Sequence, residues 1–144
     1  MNEKPPLTSE AEVLAEELRE IVSAFIRNVR ISTGTIRTSQ YETLDLLDTH
    51  HALSIAELAS LRGVKHQSMR LVINELELQR LVQRQKNPQD ARAQLIVLSE
   101  NARALLADAR AKRVEWIAAR LDTLLSEAER GDLQKGLAAL HKLL

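Results

Sequence analysis

Gln67, Arg70, Leu71 and Asn74 recur at helical spacing in the stretch from Lys65 to Asn74. At 100° per residue they share one helix face, opposite Met69, Val72, Ile73 and Leu76. Gln and Asn amides can pair with adenine, Arg with guanine, and an exposed Leu can meet a thymine methyl. A face that merely meets water favours Glu and Lys. A second polar group follows in Lys86-Asn87-Pro88-Gln89-Asp90-Ala91-Arg92, a loop that runs into Leu95-Ile96-Val97-Leu98, the one dense β-branched run in the chain. The plain alternatives are a solvated helix face and a surface Asp90/Arg92 pair worth about 0–1 kcal/mol.

The elements that must hold these residues can be read from spacing. Thr8 or Ser9 caps a first helix whose stripe Leu14, Leu18, Ile21, Val22, Phe25, Val29 continues to about residue 31. Ser32-Thr33-Gly34-Thr35 breaks it, and a second helix runs from about Thr38 to Thr49 with Tyr41, Leu44 and Leu47 on one face. His50-His51-Ala52-Leu53 reads as a short connection. Ser54 and Glu57 form a capping-box signature for a third, short helix that Gly63 stops near Arg62. The fourth helix starts at about Lys65 or His66 and reaches about Gln79. Leu81 to Gln85 and Ala93 to Leu98 read as strands flanking the polar loop. Ser99 caps a long fifth helix to about residue 125, and Ser126 with Glu129 caps a sixth striped by Leu133, Leu137, Leu140 and Leu144.

Composition agrees with this reading. The 144 residues are 44% apolar but only 2% aromatic, so the core must be aliphatic, as when helices pack on helices. No apolar run exceeds four residues and the N-terminus lacks a charged flank followed by a hydrophobic stretch, so neither a membrane span nor a secretory signal is expected and the protein is expected to be cytoplasmic. The absence of cysteine excludes disulfides, thiolate zinc sites and thiol-based redox sensing within the chain. Net charge is zero but unevenly spread: residues 3–20 carry six acids and two bases, residues 62–92 seven bases and three acids. The middle of the chain is a basic island, which is either a solvated face or an electrostatic footprint.

Two short helices joined at Gly63, the second followed by a hairpin, make a winged helix-turn-helix. The segment Leu53 to Leu106 resembles the winged helix-turn-helix of the MarR family of bacterial transcriptional regulators. Asp90-x-Arg92 in the loop, the strand leading to Leu98-Ser99, and Leu81-Val82-x-Arg84 carry the match, and the flanking helices fit as well. The chain departs from the family where Arg80 and Asn101 stand in places that usually hold glycine. The resemblance implies a mainly α fold with a small two- or three-stranded β wing, in one domain covering 1–144: a winged core of about 38–98 and dimerisation helices of about 8–31 and 99–144.

It implies double-stranded DNA with a roughly palindromic operator as partner. Candidate contacts are Lys65, His66, Gln67, Ser68, Arg70, Asn74, Arg84, Lys86 and Arg92, with Arg92 entering the minor groove and Asp90 bracing the wing by pairing with a nearby arginine. It also implies a homodimer, for which Leu14, Leu18, Leu121, Leu124, Leu133, Leu137 and Leu140 are the candidate interface, and recognition helices about 34 Å apart. A small aromatic or anionic ligand relieving a repressor is a further implication; Phe25, Tyr41 and Trp116 read more readily as packing than as pocket walls. No metal or other cofactor is expected, since His50, His51, His66 and His141 show no ligand spacing. Nor is catalysis, since there is no phosphate-binding glycine loop and no triad-like pattern. The competing class is a winged-helix module for protein assembly, mildly favoured by the zero net charge and by Leu71.

Overall fold

A computed structural model describes residues 9–35 and 38–144. Thr8, the alternative first cap, lies outside the described residues. In chain order the elements are α1 (Glu10–Thr33), α2 (Ser39–His50), β1 (Ala52–Ser54), α3 (Ile55–Arg62), α4 (His66–Leu78), β2 (Val82–Lys86), β3 (Gln94–Leu98), α5 (Glu100–Leu124) and α6 (Glu127–His141). This is the mainly α fold with a three-stranded sheet that the sequence implies.

Local chemistry explains most of the boundaries. Ser9, Ser54 and Ser126 each accept from the backbone N–H three residues on, and Glu12, Glu57 and Glu129 reach back to the cap N–H, so three helices begin with complete capping boxes. Thr38 caps α2 through Tyr41 N–H. Gly34 and Gly63 close α1 and α3 in the left-handed region, with φ of 66° and 61°, where glycine lacks the steric penalty of a side chain. α1 passes Ser32 and ends only at Thr33, because the Thr33 hydroxyl donates to Val29 O at 2.7 Å and is satisfied inside the helix.

The chain divides into two compact units. One spans Ile36–Lys112 and holds α2, β1, α3, α4, β2, β3 and the first half of α5. Its core joins Leu44, Leu47, Leu53, Leu58, Ala59, Met69, Ile73, Leu76, Val82, Ile96, Leu98, Ala102 and Leu106. Burying each large member contributes roughly 1.5–3 kcal/mol before the entropic cost of ordering it. Ala102 and Leu106 lie in this core, so the winged unit extends into α5 beyond residue 98.

The sheet has the order β1-β3-β2 and is antiparallel throughout. Val82 pairs with Leu98 and Lys86 with Gln94, a register that places residues 87–93 at the hairpin tip. The stretch that reads as a connection supplies the third strand: Ala52, Leu53 and Ser54 pair with Val97, Ile96 and Leu95. Three residues are too few to show alternation, and what makes them a strand is the free edge of β3 rather than their own pattern. His51, at φ 67°, turns the chain from α2 into that strand.

Arg80 also sits in the left-handed region, at φ 58°. Ser99 holds this turn from the other side. Its hydroxyl donates to Arg80 O at 2.7 Å and accepts from Ala102 N–H at 3.1 Å, while its own N–H donates to Leu81 O at 3.0 Å. One buried serine therefore caps α5 and ties it to the approach to the wing.

The other unit comprises Met1–Thr35 and Arg113–Leu144, with α1, the end of α5 and α6. Arg130 donates to Leu125 O at 2.8 Å and so fixes the α5/α6 turn, and the Arg120 guanidinium lies 4.7 Å over the Trp116 ring. Much of the apolar surface stays open: Leu14, Leu124, Leu133 and Leu137 are exposed, while Leu18, Leu121 and Leu140 are half-buried. Val13, Ile21, Phe25 and Ile26 add to it from α1. Among the described residues no helix is long and apolar enough to cross a membrane.

Candidate nucleic-acid interface

α4 is positioned by its inner face. Met69, Ile73 and Leu76 are fully buried and Val72 half-buried, so Gln67, Arg70, Leu71 and Asn74 must face outward, and all four are exposed. Gly63 and the short α3, anchored by Leu58 and Ala59, set the angle at which α4 leaves the turn. Lys65 occupies the N-cap of α4 but makes no side-chain cap bond, which leaves the first-turn N–H groups, beside exposed His66, Gln67 and Ser68, available to an anion such as a phosphate.

The wing is organised by turns. Asn87 Oδ1 accepts from Gln89 N–H at 3.0 Å, Asp90 O accepts from Ala93 N–H at 3.1 Å, and Asn87 N–H donates to Ala93 O at 3.3 Å. Asp90 braces the loop, but not through an arginine side chain. Its Oδ1 accepts the backbone N–H of Arg92 at 3.0 Å, an Asx-turn that holds the backbone under the arginine and leaves the exposed Arg92 guanidinium to the solvent side. A carboxylate two residues before the group it orients needs only this local bond, which explains the difference from the family expectation.

Arg84 is the residue whose surroundings differ most from a simple phosphate contact. Its Nε donates to Glu77 Oε2 at 3.0 Å and Oε1 at 3.2 Å, its Nη2 to Asn74 Oδ1 at 2.8 Å, and its Nη1 to Gln94 Oε1 at 3.4 Å. One guanidinium thus links α4, β2 and β3. Spacing along one helix or one strand cannot reveal such a bridge, since Arg84 stands on β2 and its partners lie on α4 and β3. Arg62, counted in the basic island, likewise turns inward: it pairs with Glu42 at 2.6 Å and donates to Ser39 O and Thr43 Oγ1 at 2.8 and 3.1 Å, joining α3 to α2. The outward charge is therefore carried by Lys65, Arg70, Arg80, Lys86 and Arg92, all exposed. At the start of α3 the Glu57 carboxyl is held below the usual range by the Ser54 N–H and hydroxyl, a capping effect.

An outward helix face of amide and guanidinium groups, followed by a basic hairpin, can read base edges and bind phosphates. Comparison with known proteins agrees. Residues 34–93 match the model of the MarR family. A helix-turn-helix-type transcriptional regulator of Mycobacterium bovis is 34% identical over 113 residues, 77% of this chain and 79% of that one. The crystal structure of a transcriptional regulator protein from Pseudomonas aeruginosa superposes with a TM-score of 0.81 at 27% identity, covering 95% of this chain and 97% of the other. MepR of Staphylococcus aureus, solved bound to an oligodeoxyribonucleotide, shares the fold with a TM-score of 0.63 at 21% identity, over 91% of this chain and 98% of its own. This chain belongs to the MarR family of DNA-binding transcriptional regulators.

Proposed function

We propose that the protein is a dimeric, sequence-specific repressor that reads DNA with α4 and the wing. The observation that carries this reading is the outer face of α4, where Gln67, Arg70, Leu71 and Asn74 stand exposed above a buried face that fixes the helix. Gln67, Arg70 and Asn74 meet base edges in the major groove; Lys65, His66, Ser68 and Lys86 contact phosphates; Arg92 enters the adjacent minor groove. Arg84 supports α4 through Asn74 and Glu77. MepR, which shares the fold, was solved on an oligodeoxyribonucleotide, in keeping with DNA as the partner.

Dimerisation is supported by the apolar surface of the terminal unit. Leu14, Leu124, Leu133 and Leu137 are 63%, 63%, 40% and 53% exposed in the single chain, and a twofold partner packing on them with Leu18, Leu121 and Leu140 would remove them from water. The same partner supplies the second recognition helix for a palindromic operator. Repression, its relief by a small aromatic or anionic molecule, and a place of action in the cytoplasm beside the chromosome belong to the same reading and are carried by family likeness. The rival reading, a module for protein assembly, calls for an apolar outer face on α4; only Leu71 of the four residues is apolar.

Selection of bound DNA from a random pool, followed by affinity measurements on the enriched site, tests the proposal. The enriched sequences should be palindromic with half-sites one helical turn apart. Arg70→Ala should cost about 1–3 kcal/mol and relax one position; Arg92→Ala should weaken binding and lower the salt slope by about one. Unchanged affinity in both variants, or no enrichment, refutes it.

A further inference from the structure

We propose that Asn74 reads its base as a hydrogen-bond donor alone, held in that state by Arg84, so that its position in the operator selects guanine rather than adenine. The inference rests on α4 being the recognition helix and goes beyond it.

The amide orientation follows from chemistry. Asn74 Oδ1 lies 2.8 Å from Arg84 Nη2. A guanidinium has donors only, so the amide must present oxygen to it; the opposite orientation would set two donors against each other. Arg84 has little freedom to move away. Its Nε is held by both Glu77 oxygens, at 3.0 and 3.2 Å, its Nη1 meets Gln94 Oε1 at 3.4 Å, and its side chain is only 26% exposed. The oxygen edge of Asn74 is thereby turned toward β2, and what the exposed residue offers outward is its NH2 group.

An Asn that recognises adenine needs both edges of its amide, donating to N7 and accepting from the N6 amine. Asn74 has one of them committed. Guanine offers two neighbouring acceptors, N7 and O6, to a donor; thymine offers O4 alone, beside its methyl, and cytosine offers only a donor amine. Arg84 is accordingly a positioning residue that acts through Asn74, and Glu77 and Gln94 act through Arg84.

The test compares operators selected by the full-length protein and its variants from one random pool. The position read by Asn74 is the one whose preference Asn74→Ala flattens, and the wild type should favour guanine over adenine there by about 2- to 12-fold, the range of one net hydrogen bond. Asn74→Asp keeps an acceptor for Arg84 and replaces the outward donor by an acceptor, so the preference should move to cytosine. Arg84→Met frees the amide oxygen, so it should move to adenine in a variant whose folding is checked by its Tm. Should Arg84→Met lose its fold, the Asn74→Asp result decides alone. A wild-type preference for adenine, or an Asn74→Asp pool identical to wild type, overturns the proposal while α4 remains the reader if Arg70→Ala still alters another position. If neither Arg70→Ala nor Asn74→Ala alters any position, the recognition-helix reading itself is overturned.

Discussion

Replacing Arg80 by glycine should stabilise the protein. Arg80 holds φ 58°, where a side chain costs roughly 1–2 kcal/mol relative to glycine. Glycine gives back about 0.5–1 kcal/mol through the greater entropy of the unfolded chain. The two backbone bonds at this residue, Arg80 N–H to Glu77 O at 3.0 Å and Ser99 hydroxyl to Arg80 O at 2.7 Å, use no side-chain atom and survive the change. The net gain is about 0.5–1 kcal/mol, or about 1–4 °C in Tm for a chain of this size. Arg80→Ala is the control, because alanine keeps the Cβ that makes the conformation costly. Thermal denaturation followed by circular dichroism should rank glycine above arginine and alanine, at one protein concentration since association shifts Tm. A glycine variant no more stable than the alanine variant refutes the idea that strain is stored at this turn.

Other perturbations probe separate links. Ser99→Ala removes both the cap of α5 and the bond to Arg80 O, and should cost about 1–2 kcal/mol in denaturant titrations; no loss would show the serine to be replaceable. Glu57 has its folded pKa depressed by bonds from Ser54, so its contribution is present above the ordinary carboxylate value of about 4.3 and is lost as pH falls through the folded value. The denaturation midpoint should therefore fall on acidification, and Glu57→Gln should flatten that part of the curve. Leu137→Glu alters a residue 53% exposed in the single chain, so it should leave the fold intact while converting dimer to monomer in sedimentation experiments; a variant that sediments unchanged removes Leu137 from the interface.

Much of the fold was legible because its signals are local. Serine and glutamate at capping-box spacing marked the starts of α3 and α6, a choice of Thr8 or Ser9 marked that of α1, and the inner stripe of α4 fixed its outer face through periodicity alone. β1 escaped because three residues carry no pattern and its strand character comes from β3, some forty positions away in the chain. The bridge from Arg84 to Glu77, Asn74 and Gln94 escaped for a related reason: it joins a helix to two strands, and charge counting cannot separate a cation that braces from one that faces outward. Arg62 shows the same limit from the other side, a member of the basic island that is spent on Glu42. Asp90 accepts the backbone N–H of Arg92 where the resemblance implies an arginine side chain, since a carboxylate can satisfy the N–H two residues on as readily as a distant arginine.

Dimethyl sulfate interference on a selected operator tests the DNA-reading geometry most directly, because the reagent marks guanine N7 in the major groove and adenine N3 in the minor groove. Guanine interference is expected in two patches about one helical turn apart, each accompanied by adenine interference that Arg92→Ala removes while leaving the guanine patches in place. A single patch, or adenine interference indifferent to Arg92→Ala, would contradict it.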